Sequence, residues 1–289
     1  MMSARFLTVV LERAFNMRDG FGREIDYMRI SVIDSCNLNC YYCNPCDNNE
    51  HCHALNILSV KEVLCIVRAA TRLGIKHFRL TGGEPLLHPQ LDEMVLQIKK
   101  IPGVSSVSLT TNAVLLAQHA KWLKEAGIDS INVSLDTIDA SEYERITKKP
   151  LLEEVKHGIN AAIECGIRVK INVVLTPQTD VVALTRYVAK KGTDIRFIEM
   201  MPVGEGHTNG VEPYKKVIGT LSKLYGEPCR INTEKTKEIN SGNDKRKIPD
   251  NGPAEYYIFP ELGIRVGLIQ AIHGKFCDTC NRIRVTADG

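Results

Sequence analysis

No run of 18 apolar residues occurs in this 289-residue chain, so it offers no membrane-spanning helix. No secretory leader is expected from the first residues either. The first apolar stretch, residues 6–11, is too short and has no small-residue cleavage site behind it. Scarce serine and Glu12 count against a mitochondrial presequence in the same region. Net charge is only +3, which leaves no basic tail for nucleic acid. What remains is the 44% apolar, 25% charged mixture of an ordinary globular protein, in one large domain or two modest ones. Ten cysteines without a leader point to a reducing compartment and metal binding rather than disulfides. The expectation is a cytoplasmic protein with neither membrane nor nucleic acid among its partners.

Three cysteines crowd one short stretch, Ser35-Cys36-Asn37-Leu38-Asn39-Cys40-Tyr41-Tyr42-Cys43-Asn44. Their C-x3-C-x2-C spacing follows a strand-like run, Met28-Arg29-Ile30-Ser31-Val32-Ile33. Three thiolates on one loop can hold three irons of a four-iron cluster and leave the last iron open to a small ligand. Zinc is the competing reading, through Cys43-x2-Cys46 with Cys52 and His53.

From Glu24 onward, short β-branched runs alternate with amphipathic stretches. Strands are predicted at 27–33, 77–81, 105–110, 130–135, 168–175 and 195–200. Helices are predicted at 59–73, 89–101, 113–126, 141–147, 152–165 and 181–191. The alternation gives an α/β fold with parallel strands. Six such units fall short of an eight-fold barrel, so the expected form is an open or partial (β/α)6 barrel. Ligands then belong at the carboxyl ends of the strands, where the cysteine loop would lie. After about residue 204 the pattern breaks into a polar stretch with one helix at 214–225, short apolar runs and a second pair, Cys277-x2-Cys280. The division read from this is an N-terminal extension (1–18), a barrel (19–204) and a C-terminal extension (205–289). Cys65 and Cys165 read as buried thiols on helix faces.

Leu80-Thr81-Gly82-Gly83-Glu84-Pro85 follows the second strand. Gly82 and Gly83 let a ligand approach the backbone, and Glu84 offers a carboxylate to an ammonium group; a plain strand-to-helix turn is the alternative. Arg29, Arg79, Lys170 and Arg196 each lie in or at the end of a strand among apolar neighbours. Such cations are seldom buried without a partner, and a triphosphate would suit all four. Pairing with Glu199, Asp136 or Glu84 is the other possibility.

With Tyr42 before its last cysteine and GGEP at the next strand end, the chain resembles the radical S-adenosylmethionine (SAM) superfamily. Asp19-Gly20-Phe21-Gly22-Arg23, Thr110-Thr111-Asn112, Asn132-Val133-Ser134-Leu135-Asp136, Arg196-Phe197-Ile198-Glu199 and Phe276-Cys277-Asp278-Thr279-Cys280-Asn281-Arg282-Ile283-Arg284 narrow the likeness. Together they resemble the molybdenum-cofactor biosynthesis family MoaA, the GTP 3′,8-cyclases. The resemblance implies a TIM-like partial barrel of the radical SAM type with a C-terminal extension, two [4Fe–4S] clusters and SAM. It implies cyclisation of GTP to (8S)-3′,8-cyclo-7,8-dihydroguanosine 5′-triphosphate, the first step towards molybdopterin. Cys36, Cys40 and Cys43 would hold the first cluster, and Cys277 and Cys280 the second. Tyr42, Gly82, Gly83, Glu84, Ser134 and Met201 would line the SAM site. Arg29, Arg79, Thr110, Lys170, Arg196, Arg282 and Arg284 would bind GTP. An electron donor such as flavodoxin or ferredoxin is implied, for a monomer or homodimer. A radical SAM enzyme acting on a peptide, and a catalytically impaired metal-binding homologue, are the alternatives.

Three departures from the family pattern stand out. The family's third C-terminal cysteine and its Gly-Gly tail lie beyond Gly289, so the expectation is a labile second cluster on a fragment or an impaired cyclase. His77 replaces a common lysine two residues before Arg79, which weakens phosphate attraction. The stretch from Cys46 through His51, Cys52 and His53 is unusually rich in thiol and imidazole.

Overall fold

The computed structural model describes residues 17–43, 56–201, 213–231, 253–274 and 276–289. The strands are β1 (Tyr27–Ser31), β2 (His77–Thr81), β3 (Ser106–Thr111), β4 (Ser130–Ser134), β5 (Val169–Leu175), β6 (Asp194–Glu199), β7 (Cys229–Ile231), β8 (Glu255–Ile258), β9 (Arg265–Ile269) and β10 (Arg282–Val285). The helices are α1 (Val60–Arg72), α2 (Leu91–Lys99), α3 (Leu116–Glu125), α4 (Ala140–Thr147), α5 (Leu152–Glu164), α6 (Val181–Lys190) and α7 (Pro213–Tyr225). All the strands join one open sheet in the order β10-β1-β2-β3-β4-β5-β6-β9-β8-β7. β1 to β6 lie side by side in chain order and parallel, as the alternating pattern predicts.

The C-terminal extension continues this sheet at both edges. β9 pairs parallel with β6, and β8 and β7 follow antiparallel. β10 crosses to the far edge and pairs parallel with β1. No helix among the described residues is long and apolar enough to cross a membrane.

Period two along each strand divides the sheet into two faces. Met28, Ile30, Phe78, Leu80, Leu109, Ile131, Ile171 and Phe197 turn outward into one core with the helices. Each such burial contributes about 1.5–3 kcal/mol. α1 shows how a helix is fixed to that core. Ser59 and Glu62 cap its first turn reciprocally, and Val60, Val63, Val67 and Ala70 form its buried stripe. Cys65 falls between those positions and is exposed, which corrects its reading as a buried thiol. Cys165 is half-buried against the core at the end of α5. α3 begins three residues later than predicted, because Ala113 takes a left-handed conformation with φ 66°. The side chains of Thr111 and Asn112 accept from Ala113 N and Val114 N and build that turn.

The opposite face is polar. It carries Tyr27 and Arg29 from β1, His77 and Arg79 from β2, Ser108 and Thr110 from β3, Asn132 and Ser134 from β4, Lys170 and Asn172 from β5, and Arg196 from β6. This face lines the inside of the barrel and holds the candidate site.

Candidate active site

The cysteine loop leaves β1 at the carboxyl end of the sheet and is held there by backbone. Val32 N donates to Thr81 O at 2.9 Å, Gly83 N to Ile33 O at 2.7 Å, and Glu84 N to Ser35 O at 2.7 Å. Further along, Asn39 N and Tyr41 N donate to Thr147 O and Ile146 O at the end of α4. The two glycines after β2 make this clamp possible. A Cβ on Gly82 would stand 2.4 Å from Ile33 O, and one on Gly83 would stand 2.1 Å from Ser35 O. Their missing side chains therefore admit the cysteine loop itself, where the sequence suggested room for a ligand.

Glu84 also has partners within the protein. It is 1% exposed, and its carboxylate accepts from Thr111 Oγ1, Asn112 N and Leu86 N. Burial pushes its pKa up to about 7, against the pull of those donors. The carboxylate thus ties the end of β2 to the end of β3.

Cys36 and Cys43 are exposed and Cys40 is half-buried. Leu38 N donates to Cys36 Sγ at 3.4 Å, and Asn112 Nδ2 approaches the same sulfur at 3.8 Å. Burial raises the pKa of Cys36. Burial, helped by Asp136, pushes Cys40 up to about 12. Such thiols give up their protons when a metal takes the sulfur. Among the described residues, no three Cys, His, Asp or Glu side chains are grouped to hold one metal ion. Three thiols on one loop match the donor set by which a four-iron cluster is held. Cys46, His51, Cys52 and His53 lie outside the described residues.

Beside the loop, Cys40, Tyr42, Asn112, Ser134 and Asp136 line a cavity of about 40 Å³. Tyr42 OH donates to Asp136 Oδ2, and Val174 N donates to Oδ1 at 2.7 Å. Burial raises Tyr42 above its ordinary pKa and lifts Asp136 to about 6. Tyr42 and Ser134, assigned to SAM by resemblance, therefore share one pocket. Met201 stands just past β6 and is 52% exposed. Asn112 appears in the sequence reading only within a motif, and Asp136 only as a possible partner for the strand cations; a polar side chain next to a predicted strand end is the signal for both.

The arginines of β10, β1 and β2 fall into register below this mouth. Arg284, Arg29, Arg79 and Ser108 are successive partners across β10, β1, β2 and β3. Arg282 pairs with Tyr27, two residues nearer the amino end of the sheet. Burial, then Arg284 and Arg79, lower Arg29 to about 10. Arg29 Nε is buried without a hydrogen-bond partner. Arg79 Nε donates to Ser108 Oγ at 3.0 Å, and its guanidinium lies over the Tyr27 ring. On the other side, Thr110, Asn132 and Lys170 are successive partners across β3, β4 and β5. Lys170 lies over the Tyr256 ring. Arg196 donates to Asn172 Oδ1 at 2.9 Å and Asn132 Oδ1 at 2.6 Å. Gly267 is needed beside it, because a Cβ there would stand 2.8 Å from Arg196 Cγ. His77, half-buried, shares Ser106 Oγ at 2.8 Å and stacks on Tyr27.

Cys277 and Cys280 lie on the 3-10 turn Phe276–Thr279 and just after it, immediately before β10. Since β10 runs parallel to β1, this turn is at the amino end of the barrel, opposite the first loop. Asn281 Nδ2 fastens it to Asp26 at 2.6 Å, and Arg23 donates to Cys277 O. The five residues of β1 separate the two ends by roughly 15–20 Å. Between them lie the arginines.

Comparison with known proteins bears out the family resemblance. Residues 30–184 match the radical SAM superfamily, and residues 193–289 match the molybdenum cofactor synthesis C family. A GTP 3′,8-cyclase of Clostridium perfringens (strain SM101 / Type A) is 37% identical over 276 residues, covering 94% of this chain and 81% of that protein. One from Pelotomaculum thermopropionicum is 38% identical over 280 residues, covering 94% and 82%. Among solved structures, Streptococcus suis SuiB bound to S-adenosylmethionine gives a TM-score of 0.57 at 16% identity, over 69% of this chain and 47% of that one. Methylornithine synthase gives 0.56 at 16% identity, over 78% and 71%. These two likenesses concern the fold alone.

Proposed function

This chain belongs to the GTP 3′,8-cyclase family of radical SAM enzymes, and on that premise we propose that it joins C3′ of the ribose of GTP to C8 of its guanine. The observation that carries the substrate is the row of cations inside the barrel. Arg29 is crowded by like charge, and its buried Nε lacks a partner. A buried cation in that state calls for an anion.

Cys36, Cys40 and Cys43 would hold a [4Fe–4S] cluster, and Tyr42, Gly82, Gly83, Ser134 and Met201 would surround SAM. Glu84 serves that site by fixing the loop. When bound, the cluster and SAM, with an external electron donor such as flavodoxin or ferredoxin, would supply the radical chemistry at the ribose. Arg29, Arg79, Lys170, Arg196, Arg282 and Arg284 hold the triphosphate and base, while Thr110 orients the sugar. Cys277 and Cys280 would bind a second cluster at the floor, next to Arg282 and Arg284. Residues 19–204 would carry the SAM chemistry and residues 205–289 the second-cluster site. Docking both ligands inside one barrel aligns the reacting carbons and excludes water.

The test is anaerobic reconstitution with iron and sulfide, then incubation with SAM, a low-potential reductant and GTP. Mass spectrometry should find the cyclised triphosphate and 5′-deoxyadenosine, the latter only when GTP is present. Absence of GTP-dependent 5′-deoxyadenosine overturns the proposal.

A further inference from the structure

Asn132 is 1% exposed at the centre of β4, on the polar inner face. Its amide orientation is settled by a neighbour. Arg196 can only donate, and it donates to Asn132 Oδ1 at 2.6 Å, so the amide nitrogen must face the other way. That nitrogen, Nδ2, is buried and has no hydrogen-bond partner. Leaving a buried donor unpaired is costly, and native proteins seldom do so without a ligand or water to meet it. Thr110, the partner of Asn132 on β3, also has a buried and unpartnered hydroxyl. Two orphaned polar groups side by side point at one object.

Their height in the barrel says which part of the ligand that is. Asn132 is two residues below Ser134 on the same face, about 7 Å towards the floor. The Arg284–Arg29–Arg79 row lies on the strands beyond Ser108 and Thr110. Asn132 therefore stands one row above those arginines and one row below Ser134 at the mouth, where the adenosyl group belongs, with Lys170 and Arg196 beside it. The reacting sugar must occupy this interval. A neutral amide donor suits a hydroxyl oxygen, whereas the charged groups around it suit phosphate.

We propose that Asn132 contacts the substrate directly, its Nδ2 donating to a hydroxyl oxygen of the nucleotide's sugar and so fixing the carbon that reacts. This rests on the GTP reading above. The experiment compares wild type and Asn132→Asp, both as full chains reconstituted anaerobically. The aspartate keeps an acceptor for Arg196 and removes both donors. Equilibrium dissociation constants are measured for GTP, 2′-deoxyGTP and 3′-deoxyGTP. Wild type should bind one deoxy analogue at least tenfold more weakly than GTP. In Asn132→Asp that ratio should fall to within about twofold of unity, whatever the added charge does to all three nucleotides alike. The variant should also release more 5′-deoxyadenosine per cyclised product. Should Asn132→Asp not fold, Asn132→Ala is read in the same way. A variant that keeps the wild-type ratio overturns the contact, as does a wild type indifferent to both sugar hydroxyls. A wild type that binds none of the three nucleotides overturns the substrate reading itself.

Discussion

Adding one methyl group at Gly83 should dismantle the first cluster site. In Gly83→Ala the new Cβ would lie 2.1 Å from Ser35 O and 2.3 Å from Asp34 O, and both obstacles are backbone. To restore ordinary contact the loop must retreat until the first distance reaches 3.4 Å. That movement breaks Gly83 N to Ile33 O and Glu84 N to Ser35 O, each about 1 kcal/mol net. With the strain of overpacking, the destabilisation is about 3–5 kcal/mol. Cys36, the next residue, moves with the loop. A misplacement of about 1 Å is enough to slow chemistry about 100-fold. Thermal unfolding, bound iron and 5′-deoxyadenosine formation should all fall together. The control is the same change on α7: Gly219 is exposed with nothing within 4 Å, so Gly219→Ala should add about 1 kcal/mol of helix stability. Wild-type iron content and SAM cleavage in Gly83→Ala would refute the close approach on which this rests.

Three further outcomes are expected. Arg29→Met removes a charge crowded by Arg284 and Arg79, so the ligand-free protein should melt about 2–4 °C higher while GTP affinity drops tenfold or more, roughly the value of a charged hydrogen bond; melting curves and equilibrium binding decide it, and a fall in both would sink it. Burial lowers the pKa of His77, so the folded state takes up its proton less readily than the unfolded chain. Stability is then complete above the ordinary value of 6.5 and declines as pH falls from there through the lowered folded value, a slope that His77→Asn should flatten in urea titrations between pH 8 and pH 5. Changing Cys277 and Cys280 to serine should leave about four irons per chain and intact SAM binding while abolishing the cyclised product; loss of the first cluster as well would contradict the separation of the two sites.

The barrel strands were legible because β-branched runs of period two are bounded by turn residues, as at Tyr27 to Ser31 and His77 to Thr81. The cysteine loop was legible from spacing alone. What the sequence could not carry was partnership across distance. Arg29, Arg79 and Arg284 share a row only because β10 returns to the edge of β1. Nothing in GGEP reveals that the Glu84 carboxylate also accepts from Thr111 and Asn112. Gly82 and Gly83 signalled a close approach correctly, but the object approaching is the loop's own backbone. Asn132 and Asn172 meet their partner only across the sheet, where Arg196 donates to both. Cys65 was misplaced by one position on a helix whose buried stripe is Val60, Val63, Val67 and Ala70.

The pairing of β10 with β1 also sets an order of assembly. Residues 27 to 199 suffice for the first cysteine loop, its clamp on Gly83 and the pocket beside Ser134. The arginine row, by contrast, stays incomplete until Arg284 docks beside Arg29, two residues more than 250 positions apart along the chain. Contacts so remote in sequence close late, because the intervening loop must first be ordered. A growing chain can therefore shape its SAM-cleaving half well before it owns a complete substrate site. The strand that finishes the site is also the one that seats the second cysteine turn. Docking of β10 thus completes the arginine row and places the second cysteine turn in a single, final event.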